Sequence, residues 1–149
     1  MERLAIALLI VIVVGVVAAV ARRRRPTDPP TQRSYEVPRQ LDREDFVRPE
    51  APWLVAVFTS TTCDMCQSIA DKAQVLECDE VAVQEVEFTA DRALHQRYGI
   101  DAVPTVVICG SDGVTRQSFL GPVTATDLWV AMAEVREPGS TPEPHVCDN

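Results

Sequence analysis

Four stretches of the chain have the hydrophobic pattern of β-strands. Trp53–Thr59 is almost continuously apolar and rich in β-branched residues, which indicates a central strand buried on both faces. Three further strands are predicted downstream: the alternating run Val81–Phe88, the apolar run Thr105–Cys109 and the run Val114–Leu120. The turn Ser111–Gly113 joins the last two strands and predicts that they form an antiparallel hairpin.

Apolar residues at helical spacing lie between and around these strands. Ile69, Ala73 and Leu76 share one side of a predicted helix over Cys66–Leu76. Further helices are predicted over Leu41–Val47, Asp91–Tyr98 and Thr124–Glu137. In the last of them, Thr124 with Asp127 is predicted to cap the helix, and its buried side is predicted to consist of Leu128, Ala131 and Val135. A strand–helix–strand unit demands a parallel crossover, whereas the hairpin is antiparallel. The predicted fold class is therefore α/β, with a mixed sheet flanked by helices on both faces.

A long apolar segment precedes this body. Leu4–Ala21 has 18 consecutive residues without a polar side chain. At about 1.5 Å per residue it would span roughly 27 Å as a helix, so we predict one transmembrane helix. Ala19–Ala21 resembles a cleavage site, which leaves a cleaved signal peptide as the alternative. Because Arg22–Arg25 follow the run, an uncleaved anchor with a cytoplasmic domain is favoured.

Two segments have no apolar period. Pro26–Gln40 contains four prolines in fifteen residues, which predicts an extended spacer. Pro138–Asn149 has the composition of a flexible tail. The predicted organisation is an anchor with a basic flank over residues 1–25, a linker over 26–40, a folded domain over 41–137 and a tail over 138–149.

Charge is distributed unevenly along the 149 residues. Five of the 14 basic residues, Arg3 and Arg22–Arg25, lie before Pro26, where Glu2 is the only one of the 22 acidic residues. The rest of the chain is therefore strongly acidic, which argues against nucleic-acid binding. An apolar content of 46% excludes disorder throughout, and five cysteines are too few for a disulfide-dense scaffold.

The candidate chemistry lies in Cys63-Asp64-Met65-Cys66, between the first strand and the first long helix. Two cysteines at this spacing can close a small disulfide ring, and the free amides at a helix start favour a thiolate at Cys63. We predict that Cys63 attacks a substrate disulfide and that Cys66 resolves the mixed disulfide. A lone pair of cysteines is also typical of half a zinc site, and Met65 is a hint of copper binding.

A second motif, Tyr98–Thr105 (YGIDAVPT), places a proline directly before a strand, where the peptide bond can be cis. Together with the strand–CxxC–helix unit, this segment resembles the thioredoxin family. The resemblance implies a thioredoxin fold with Pro104 in cis beside the cysteine pair. It also implies that the backbone of Val103, with Thr62 and Gly121, binds an extended substrate segment.

The resemblance covers residues 41–137, and within them the sequence departs from the family pattern at three points. Thr62 stands where the family has tryptophan, and Asp64-Met65 replaces Gly-Pro between the cysteines. Val57 stands where the family has a buried acid that assists deprotonation of the resolving thiol. No carboxylate replaces that acid nearby in the sequence, so we expect proton transfer from Cys66 through water or another group, and slower exchange.

The remaining cysteines and histidines have simpler predicted places. Cys109 ends a buried strand and is predicted to be a small core residue. His95 is predicted to be a surface residue of its helix. Cys78 and Cys147 receive no predicted role.

Two functions follow. The first is a membrane-tethered thiol–disulfide oxidoreductase that exchanges or reduces protein disulfides. It needs no bound cofactor or metal, only protein substrates and an electron donor or acceptor, for which a membrane-bound partner is attractive. The alternative is a non-catalytic thioredoxin-like binding module that holds a soft metal ion.

Overall fold

The computed structural model describes residues 35–139 of the chain. A 3-10 helix, Arg43–Asp45, precedes the main elements. These are β1 Trp53–Thr59, α1 Cys66–Gln74, β2 Val81–Glu87, α2 Arg92–Arg97, β3 Thr105–Gly110, β4 Thr115–Leu120 and α3 Ala125–Arg136. From Trp53 onward, each predicted strand and helix is therefore confirmed.

The four strands form one mixed sheet in the order β2-β1-β3-β4. β1 pairs with β2 in parallel, and β3 pairs antiparallel with both β1 and β4. The parallel crossover runs through α1, and the antiparallel pair β3–β4 is the predicted hairpin. The mixed sheet and its flanking helices confirm the predicted fold class.

Two apolar layers hold the helices against this sheet, and the alternation of side chains along β1 supplies both. Val55 and Val57 face the layer that contains residues of α1 and α3, and Leu54 and Phe58 face the opposite layer. All four side chains are fully buried, which explains why β1 is apolar at successive positions. Each contributes about 1.5–3 kcal/mol of hydrophobic stabilisation.

The N-terminus of α3 carries the cap that its sequence predicts. The hydroxyl of Thr124 accepts the amide of Asp127 at 3.1 Å, and the carboxylate of Asp127 accepts the amide of Thr124 at 3.2 Å. Leu128 and Ala131 are buried as predicted, while Val135 packs at the edge of the core. A reciprocal cap of this kind fixes where the helix begins.

The predicted helix over Leu41–Val47 is reduced to the single 3-10 turn Arg43–Asp45. Its continuation is blocked because Pro49 disfavours helical geometry in Arg48, which has a φ of 51°. Arg43 is turned inward and buried, and its guanidinium donates to the carbonyl of Ala51 at 3.0 Å. The segment therefore closes one end of the core instead of forming a surface helix.

The prediction that His95 is a surface residue is wrong. The side chain is 2% exposed, and its Nε2 lies 2.9 Å from the carbonyl oxygen of Val86. Its ring meets the rings of Phe58 and Phe88 edge-on, at centroid distances of 5.3 and 5.2 Å. A six-residue helix offers only one side to the sheet, and His95 occupies it.

The predicted transmembrane helix over Leu4–Ala21 lies outside the described residues. Within residues 35–139, none of the helices has the length and apolar character needed to cross a bilayer.

Candidate active site

The two cysteines of the CxxC motif lie just beyond the C-terminal end of β1. Cys66 is the first residue of α1 and is 2% exposed, whereas Cys63 in the preceding loop is partly exposed. Their sulfur atoms form a disulfide, with the Cα atoms 5.4 Å apart. The structure therefore brings the predicted pair together, with one sulfur more accessible than the other.

Backbone hydrogen bonds shape the loop that presents Cys63. The amide of Cys63 donates to the carbonyl of Ser60 at 3.0 Å, and the amide of Cys66 donates to the carbonyl of Cys63 at 3.2 Å. Thr62, the position before the first cysteine, is exposed, and its hydroxyl lies 3.1 Å from that of Ser60. These turns hold the first sulfur outside the helix and the second within its first turn.

The start of α1 provides a positive electrostatic environment for the sulfur of Cys63. The N-cap residue, Met65, makes no side-chain hydrogen bond to the helix, so the first amides of α1 are not capped by a side chain. Those amides and the helix dipole stabilise negative charge just beyond the helix. Asp64 is exposed at the same end and opposes a thiolate there by like-charge repulsion.

The prolyl motif lies at the same end of the sheet. Phe58, near the end of β1, pairs with Thr105, the residue directly after Pro104. The Val103–Pro104 bond is cis, as predicted, and the carbonyl of Pro104 accepts the amide of Gly121 at 2.8 Å. Among the described residues, none is hydrogen-bonded to the backbone of Val103. Three of the predicted substrate-binding residues, Val103, Pro104 and Gly121, therefore lie together at this end of the sheet.

A carboxylate that sequence reasoning missed lies beside the cysteines. β1 has no acid at position 57, because a fully buried valine stands there. Its partner in the parallel register is Glu85 on β2, and Glu85 lines a cavity of about 420 Å³ together with Cys63 and Cys66. The hydroxyl of Thr59 donates to this carboxylate at 2.7 Å. The signal lay in the strand register, which the sequence does not give directly.

Glu87, two residues further along β2, has a structural role in the same region. Its carboxylate accepts the amides of Ala90 at 2.9 Å and Thr89 at 2.8 Å, and the amide of Thr61 in the cysteine loop at 3.3 Å. These backbone bonds, that from Ala90 foremost, lower the pKa of Glu87. Glu87 therefore joins the loop before Cys63 to the turn after β2.

The other cysteines lie away from this pair. Cys109 is fully buried, as predicted, and burial raises the pKa of its thiol to about 11. Cys78 is exposed as a free thiol, and Cys147 lies outside the described residues. Between residues 35 and 139, the chain contains no group of three or more His, Cys, Asp or Glu side chains placed to hold a metal ion.

Comparisons with known proteins agree with this geometry. The Thioredoxin family model matches residues 39–134. A probable thioredoxin of Methanothermobacter thermautotrophicus is 31% identical over 86 residues, which are 56% of this chain and 95% of the relative. The solved structure of a mutant thioredoxin from Halobacterium salinarum has a TM-score of 0.50 at 24% identity, over 66% of this chain and 83% of that one. The germline-specific thioredoxin Deadhead of Drosophila melanogaster gives 0.51 at 21% identity, over 58% and 84% respectively.

Proposed function

Because the chain belongs to the thioredoxin family and is a thiol–disulfide oxidoreductase, we propose that it exchanges or reduces protein disulfides, with Cys63 as nucleophile and Cys66 as resolving thiol. The observation that supports this assignment is the disulfide at the start of α1. Cys63 is partly exposed and Cys66 is buried, so only Cys63 is open to attack on a large substrate. A thiolate at Cys63 benefits from the helix dipole.

The exchange proceeds in two displacements. The Cys63 thiolate attacks one sulfur of the substrate disulfide, forms a mixed disulfide with it, and releases the other substrate sulfur as a thiolate. Cys66 then loses its proton and attacks the sulfur of Cys63, which closes the ring and releases the second substrate thiolate. Two electrons pass from the protein dithiol to the substrate, and an external dithiol donor returns them by the reverse exchange.

The substrate segment binds in an extended conformation along the cis-prolyl loop. The backbone of Val103 supplies hydrogen bonds, and Pro104, Thr62 and Gly121 border the segment. The unpaired backbone of Val103 and the bond between Pro104 and Gly121 support this placement. Main-chain pairing of this kind accepts many side chains, which suits an enzyme that acts on several proteins.

The domain is tethered to a membrane and faces the cytoplasm. The apolar run of residues 4–21 and the arginines Arg22–Arg25 support this proposal. A tether raises the effective concentration of the dithiol near a membrane-bound electron partner. In a reducing cytoplasm the enzyme acts as a reductant.

Trapping tests the exchange reaction and the tether together. In the full-length chain, Cys66→Ser should accumulate mixed disulfides between Cys63 and its protein substrates in the membrane fraction. The matched control Cys63→Ser/Cys66→Ser should accumulate none. Equal adducts in both variants, or none in either, would contradict the assignment of Cys63. Deletion of residues 1–25 should move the adducts to the soluble fraction, and their retention in the membrane would contradict the tether.

Orientation is tested with a thiol reagent that does not cross membranes. The exposed Cys78 and the tail residue Cys147 should be labelled only after lysis if the domain is cytoplasmic. The variant Cys78→Ser/Cys147→Ser is the control for background labelling. Strong labelling of intact cells that disappears in this control would place the domain on the outer side.

A further inference from the structure

Closing the Cys63–Cys66 ring requires that the Cys66 thiol lose its proton. Only a thiolate attacks a disulfide, and Cys66 is 2% exposed, so bulk water has little access to its thiol. A buried thiol of this kind exchanges quickly only if a nearby base takes the proton. Val57, fully buried beneath α1, offers no such group from β1.

We propose that Glu85 is that base and receives the Cys66 proton through water in the cavity that both residues line. The role rests on the proposed exchange reaction. Glu85 on β2 is the register partner of Val57 on β1. It therefore lies next to the position at which the family has its buried acid. The carboxylate therefore lies on the strand beside β1, at the same end of the sheet as the cysteines.

The surrounding groups single out Glu85. The titratable residues that line the cavity are the two cysteines, Glu85 and Glu87, and the other lining side chains, among them Thr59 and Gln67, are neutral. Both carboxylate oxygens of Glu87 already accept backbone amides, which hold its charge in a structural role. Glu85 has one oxygen engaged, by the Thr59 hydroxyl at 2.7 Å. Thr59 is buried whereas Glu85 is exposed, so this bond holds one carboxylate oxygen at the cavity and leaves the other open to water and to a proton.

The proton transfer balances within the second displacement. As Cys66 attacks the sulfur of Cys63, its proton moves through water to Glu85, and the substrate sulfur leaves with the electron pair of the broken bond. Glu85 then returns the proton to water or to the departing thiolate, and the carboxylate is restored. Glu85 is therefore a positioning and proton-accepting residue that does not touch the substrate.

The two displacements can be timed separately with an aromatic disulfide such as dithiobis(nitrobenzoate). The reduced protein should release one coloured thiolate in a reagent-dependent phase, by attack of Cys63, and a second in a reagent-independent phase, by closure of the ring. Glu85→Gln should slow the second phase by about a hundredfold near neutral pH and leave the first almost unchanged, as expected for loss of a positioned base. The second phase should be nearly level with pH in the natural protein, and should rise about tenfold per pH unit in the variant, because hydroxide then removes the proton.

Two variants make the result specific. Glu44→Gln removes one negative charge beside Ser111, at the opposite end of the sheet, and should alter neither phase. Thr59→Val removes the hydroxyl that positions Glu85 and should slow the second phase by a smaller factor, which keeps the test open if Glu85→Gln does not fold. An unchanged second phase and pH profile in Glu85→Gln would overturn the proposal for Glu85. A natural protein that shows no second phase would instead contradict the exchange reaction itself.

Discussion

Reduction of the Cys63–Cys66 disulfide should lower the stability of the domain, by an amount that the ring size determines. The two cysteines are three positions apart, so the bond closes a loop of about four residues. The closure entropy of so short a loop, lost from the unfolded chain, corresponds to about 2 kcal/mol at 25 °C. For a domain of this size, that loss lowers the melting temperature by roughly 9 °C.

This stability difference also shifts the redox equilibrium of the cysteine pair. By thermodynamic reciprocity, folding stabilises the disulfide as much as the disulfide stabilises the fold. About 2 kcal/mol corresponds to a roughly 30-fold greater preference for the disulfide in the folded protein than in the unfolded chain. The folded dithiol is by this measure the better electron donor of the two. A thiolate stabilised at Cys63 by the helix start acts in the opposite sense, because it favours the reduced fold.

Urea unfolding near pH 7, with and without reductant, measures the difference directly. The control Cys63→Ser/Cys66→Ser should unfold at the same urea concentration in both conditions, since Cys78 and Cys109 form no disulfide among the described residues. A reduced protein as stable as the oxidised one, or more stable, would refute the reasoning. If the reduced form is the more stable one, stabilisation of the thiolate outweighs ring closure, and the folded protein is a stronger oxidant than its unfolded chain.

Three further predictions concern the fold and the remaining cysteines. Gly113→Ala should lower the free energy of unfolding by at least about 3 kcal/mol in urea titrations. The positive φ of 73° alone costs about 1–3 kcal/mol, and the new Cβ would also lie 2.0 Å from the carbonyl oxygen of Leu41. Stability should fall as pH drops through the pKa of Glu87, which backbone amides of the next turn hold below its ordinary value of 4.5, and Glu87→Ala should reduce this acid sensitivity in pH-dependent melting curves. Cys78 should be alkylated at neutral pH while Cys109, buried with a pKa of about 11, is protected, as mass spectrometry of the native protein would show.

Patterns local to the sequence predicted most of the fold. The continuous apolar run of β1 predicted a strand buried on both faces, and the pairing of Thr124 with Asp127 predicted the start of α3. Helical periodicity failed where packing overrides it. His95 lies on the buried side of a short helix because its ring bonds the carbonyl of Val86 and packs between two phenylalanines, contacts that depend on β1 and β2 together.

The cysteine pair could be predicted because its pattern is local in the sequence. Glu85, like the buried position of His95, could not be predicted because it depends on how the strands pair. Cys63 and Cys66 are neighbours in sequence, so their spacing and the strand–helix junction suffice to predict a disulfide. Glu85 lies far along the chain and lines the cavity of the cysteines only because β1 and β2 pair in parallel with Val57 opposite Glu85. The proposed role of Glu85 therefore depends on the strand register, because that register places its carboxylate at the cavity that the cysteines line. The slower exchange expected from Val57 alone stays a prediction, and the timing of the second phase in Glu85→Gln decides whether Glu85 replaces the missing acid.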